Sequence, residues 1–107
     1  MRKQQHGDVL LNPVSEIPAG LKKVPAQSGR LILAEGEATG HAHAITEAPG
    51  VELLEGEDGR LYLRVTGPEV ELSHEEHATQ TVLPGEYEVG QVVEVDPFER
   101  AVRRVMD

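Results

Sequence analysis

The sequence has no cysteine and no tryptophan, and it has a single phenylalanine. Without cysteine there can be no disulfide, no thiolate nucleophile and no sulfur-rich zinc site, which leaves histidine, aspartate and glutamate as the strong metal donors. With so few aromatics the core has to be built mainly from valine, leucine and isoleucine. Tyr62 and Tyr87 gain weight accordingly, as large side chains that end in a polar tip. There is no long apolar run, and no basic start followed by an apolar stretch, so neither a signal peptide nor a membrane span is expected and the cytoplasm is the expected compartment. Basic residues are also in short supply: ten Lys and Arg stand against nineteen Asp and Glu, a formal net charge of -9. A phosphate backbone needs a basic face to displace its counterions, so nucleic acid is not an expected partner. The clusters Arg2-Lys3, Lys22-Lys23 and Arg103-Arg104 read as solvated ends and loops.

What the chain does have is β patterning. Its 107 residues, 38% of them hydrophobic, suffice for one modest core, and a single β domain over 1-107 is expected. Proline and glycine punctuate segments in which apolar and polar residues alternate. The clearest unit places Glu57-Asp58-Gly59 between Val51 to Glu55 and Arg60 to Val65, which predicts two antiparallel strands around a tight turn. Leu61, Leu63 and Val65 then share one face, and Tyr62 and Arg64 the other. Further strands are expected over Asp8 to Val14, over Arg30 to Glu35, through Ile45, over Glu69 to Ser73 and over Glu86 to Val95, with Gly90 a candidate bulge. Ser15 to Ser28 reads as a loop, Gly36 to Gly40 as a flexible approach, Pro84-Gly85 as a turn and the tail from Asp96 as a turn and final strand. About eight short strands with little helix imply an all-β fold, either a small barrel or a two-sheet sandwich.

Four of the five histidines stand in two tight pairs, His41-Ala42-His43 and His74-Glu75-Glu76-His77. Imidazole is the commonest protein ligand for first-row transition metals, and both spacings can aim two rings at one point. In a strand His41 and His43 project from the same side, whereas His74 and His77 converge only if Ser73 to Ala78 forms a helical turn or a bulged corner. His41 and His43 fall in phase with Ile45, and His74 with Val70 and Leu72, so these imidazoles should face the interior. Burying unpaired imidazole is costly, and repeated burial calls for a hydrogen-bond network or a metal. His6, beside Gly7-Asp8, reads as a surface residue.

Over most of its length the chain resembles a small uncharacterised family of bacterial and phage proteins. The residues that carry the likeness are Gly7 to Leu10, Ala34 to His43, His74 to His77 and Leu83 to Tyr87. That resemblance implies that the two histidine pairs belong together and brings no activity with it. A looser likeness is to the cupins, whose first motif, His-x-His followed by Glu, is matched by His41, His43 and Glu47 and supplies metal ligands there. Cupins place a Pro-x-Gly turn before their last histidine ligand; here Pro84-Gly85 follows His77 and no histidine comes after it.

The expectation is therefore a small β protein holding one divalent transition metal through His41, His43, His74 and His77. Zinc is the first choice, and a nitrogen-rich set also suits iron, manganese, nickel or copper. Four histidines in a tetrahedron would make a closed, structural site. Three with a water would make a catalytic one, a metal-dependent hydrolase or oxygenase. Glu75 and Glu76 are the candidate catalytic carboxylates, one orienting a histidine and the other taking a proton from metal-bound water. Glu35, Glu37 and Glu47 bracket the first pair and are placed to do likewise. The alternative of a different class is a metal-free interaction or accessory module of a phage or its host, acting through edge-strand pairing. A homodimer through free edges is expected, with no membrane partner, and the small-molecule substrate is unassigned.

Overall fold

The computed structural model describes residues 3–35 and 41–92. Among the described residues the regular elements are all strands: β1 (Gln4–His6), β2 (Val9–Pro13), β3 (Lys22–Lys23), β4 (Arg30–Glu35), β5 (Ala42–Thr46), β6 (Val51–Glu55), β7 (Leu61–Val65), β8 (Val70–His74), β9 (His77–Val82) and β10 (Gly85–Gln91). These form two antiparallel sheets, one in the order β1-β2-β10-β7-β6-β3 and the other β4-β5-β8-β9. Of the two expected architectures this is the sandwich and not a closed barrel. Among the described residues there is no helix long and apolar enough to cross a membrane. The approach Gly36 to Gly40, the end of the expected strand beyond Val92 and the tail from Asp96 lie outside the described residues.

Alternation decides which side of each strand meets the core. Val9, Leu11, Val51, Leu53, Leu63, Val65 and Tyr87 point inward from the six-stranded sheet. They meet Leu31, Leu33, Ile45, Leu72 and Val82 from the four-stranded one. Each such aliphatic side chain contributes roughly 1.5–3 kcal/mol by leaving water. Tyr87 buries its ring and satisfies its hydroxyl by donating to the Leu83 carbonyl at 2.6 Å, while burial pushes its phenol pKa up. On the outer face of the larger sheet, Ile17 packs with Leu54 and Tyr62, so the expected loop over Ser15 to Ser28 covers that face and contributes β3 as well.

The β6–β7 hairpin follows the expected register, Val51 opposite Val65 through Glu55 opposite Leu61, with Gly59 at the positive φ of its turn. Gly90, by contrast, is not a bulge: it pairs in regular register with Leu10. The register shifts lie elsewhere, and both lie beside histidines. In β4 Leu33 is an extra residue, since Ile32 faces Ala44 and Ala34 faces His43. In β9 two residues, Ala78 and Thr79, stand opposite Ser73 alone, because Leu72 faces Gln80 and His74 faces His77. Bulges bend a strand and re-aim its side chains. Here they bring imidazoles together at one end of the sandwich.

Candidate metal centre

Three pieces of chain meet at that end: the β1–β2 hairpin, the start of β5 and the β8–β9 hairpin. The second histidine pair sits on the last of these, with His74 and His77 opposite each other across the two-residue loop Glu75-Glu76. This is the bulged corner that three-residue spacing requires. Their ring centroids are 4.7 Å apart, and His43 from β5 brings its ring to 4.4 Å from His74 and 5.7 Å from His77. One donor atom from each of His43, His74 and His77 falls within 4.8 Å of the other two. His41 stands on a different side. Its centroid is 5.8 Å from His74, and it forms a second candidate donor group with His74 and Glu75. The four expected histidines are thus divided between two overlapping groups that share His74.

His6 is the residue sequence reasoning misplaced. It is 1% exposed rather than on the surface. Gly7-Asp8 forms a two-residue hairpin loop, with Gly7 at φ 60°, and puts His6 directly opposite the core residue Val9. The Gly-Asp step was the available signal: read as a hairpin turn, it places His6 on the inward face. Gly7 is needed for space as well as for conformation. A Cβ there would lie 2.7 Å from His77 Nε2 and 2.9 Å from His43 Cε1.

Hydrogen bonds order the rings. His6 Nε2 donates to the Ala78 carbonyl at 2.8 Å, an oxygen exposed by the β9 bulge, and His6 Nδ1 lies 2.9 Å from His43 Nδ1. His43 Nε2 donates to Asp8 Oδ1 at 3.0 Å, and Asp8 is held in turn by Gln91 Nε2 at 2.6 Å. In the second group His41 Nδ1 meets Glu76 Oε2 at 2.9 Å, and Glu75 Oε1 accepts the Ala42 N–H at 3.0 Å. The Glu76 N–H is donated to His74 Nδ1 at 2.9 Å. Imidazoles backed by carboxylates on one nitrogen are oriented in the way metal-ligating histidines commonly are. Of the other acidic candidates, Glu47 lies past the far end of β5 and is exposed, Glu35 is exposed, and Glu37 is outside the described residues.

Burial lowers the pKa of both His6 and His43, and the neighbouring histidines lower it further. For His43 these effects outweigh Asp8, whose charge and hydrogen bond act in the opposite sense. Asp8 itself stays below the ordinary carboxylate value: burial pushes it up, and the Gln91 hydrogen bond together with His43 more than offsets that. Glu75 is lowered chiefly by the Ala42 N–H. Burial thus favours the neutral ring at His6 and His43, and Asp8 and Glu75 favour the ionised carboxylate, the protonation states in which such groups are ligands.

Fold and site together describe an all-β sandwich with a histidine cluster at one end. The chain belongs to the family described as domain of unknown function DUF8820, whose model matches residues 5–91. No curated protein and no solved structure matches it. The likeness to cupins remains that of one motif.

Proposed function

We propose that this protein binds one divalent transition metal, zinc first, through His43, His74 and His77. The observation that carries the reading is the approach of three imidazole donors, drawn from strand β5 and the β8–β9 hairpin, to within 4.8 Å of one another. Two features of the surroundings support it. Asp8 fixes the His43 ring from outside the group. Hydrogen-bond accounting then points to a missing positive charge. The Ala78 carbonyl and the Asp8 carboxylate can only accept, so both outer nitrogens of the His6–His43 pair must donate, and the 2.9 Å contact between the two Nδ1 atoms needs a third hydrogen. Two neutral rings carry two hydrogens between them. Burial disfavours a third proton, and a cation held at His43 Nδ1, the nitrogen that faces His6 Nδ1, relieves the same deficit.

His77 is exposed, so solvent reaches the group from its side. Three protein ligands with a solvent-reachable fourth position form the open arrangement of a catalytic site, in which a metal activates water. Glu75 and Glu76 flank it at the hairpin tip. That favours a metal-dependent hydrolase or oxygenase over a sealed structural site, with the small-molecule substrate unassigned. Protein purified without an affinity tag should contain about one equivalent of metal by elemental analysis, and His43→Ala should abolish uptake at this position. Metal-free protein that takes up none on titration would overturn the reading and leave the interaction module in its place.

A further inference from the structure

The second donor group shares His74 with the site proposed above and adds His41 and Glu75, which are not ligands there. His41 Nδ1 is engaged by Glu76, which leaves Nε2 without a hydrogen bond among the described residues. Glu75 is pinned through Oε1 to the Ala42 N–H, and among the described residues Oε2 has only a distant contact to Arg30 at 3.9 Å. His74 stands between the groups, with the rings of His43 and His77 at 4.4 and 4.7 Å and that of His41 at 5.8 Å. An imidazole has two donor nitrogens on different edges of its ring, so one ring can serve two cations.

From this we infer a second transition-metal position, formed by His41, His74 and Glu75, with His74 bridging it to the first. Nitrogen and carboxylate oxygen together suit copper or zinc. When both positions fill, two metal–nitrogen bonds form at His74, and the ring's remaining N–H bond breaks with its proton going to solvent. The Glu76 N–H contact to His74 Nδ1 is released in the same step, at an exposed loop tip that can adjust. The inference rests on the histidine-cluster reading, because His74 is common to both groups.

Copper(II) chloride titrated into chelator-treated, tag-free protein tests it, with bound metal counted and the electron paramagnetic resonance signal recorded. Two equivalents should bind, and the resonance of the doubly loaded protein should fall well below the intensity of two isolated copper ions through coupling across His74. His41→Ala and Glu75→Gln, both at partly exposed positions, should each bind one equivalent with its full, uncoupled signal. One equivalent in the wild-type protein would overturn the second position and leave the first intact, whereas none would overturn both. Two equivalents with an uncoupled signal, or two retained in both variants, would overturn the bridge.

Discussion

Gly7 shows how much of the site depends on what one residue lacks. Its positive φ and the 2.7 Å separation between a built Cβ and His77 Nε2 mean that Gly7→Ala both strains the turn and pushes a methyl group into the imidazoles. The expected cost is roughly 1–3 kcal/mol of stability, read as a lower urea midpoint, with weaker metal uptake alongside. A variant with unchanged midpoint and uptake would show that the rings do not need that space. His6 and His43 make a second prediction at this scale. Their folded-state pKa lies below the ordinary value of 6.5, so between those two values the unfolded chain binds protons that the folded protein does not. Stability therefore rises with pH through that window and falls as acid is added. Chelator-treated protein should have a lower urea midpoint at about pH 5.5 than at about pH 7.5, and an equal or higher midpoint in acid would refute the assignment.

Among the elements, the β8–β9 hairpin carries most of the candidate site, two of the three proposed ligands. Its tip, Glu75-Glu76, is exposed, and a loop tip tolerates insertion far better than a buried strand does. Inserting one glycine between Glu75 and Glu76 should leave the melting temperature nearly unchanged while weakening metal affinity by about tenfold or more, because ligand placement depends on the turn. Equal affinity would take the hairpin out of the site. The strands were largely legible in the sequence: β4 and β6 match their expected bounds, and the parity of Leu61 to Val65 holds in β7. Less legible were β1, β9 and the two bulges. β9 is exposed along most of its length, so it lacks the alternation by which a strand announces itself. A bulge depends on how two strands pair across the sheet, and no local pattern records that. His6 was missed for a related reason, since its inward direction is set by its partner Val9 across the turn.

At the scale of the whole molecule, the two sheets meet through side chains where β1 approaches β9. Gln4 Nε2 donates to Gln80 Oε1 and to the Thr81 carbonyl, and Gln80 Nε2 donates to the Gln5 carbonyl. These amides hold the β1 hairpin against the β8–β9 hairpin and keep His6 and His77, whose rings lie 5.7 Å apart, in the same neighbourhood. Substituting Gln80→Ala should therefore loosen the site more than the core. Metal affinity should drop several-fold while stability falls by about 1–2 kcal/mol, and a loss of stability with affinity preserved would count against that role. The route the chain takes to this arrangement has a consequence in time. A polypeptide leaving the ribosome offers His6, His41 and His43 early, and nothing can gather them until the segment bearing His74 and His77 has been synthesised and has folded back. Under the proposed metal binding, the full ligand set exists only in a copy in which both segments have been made.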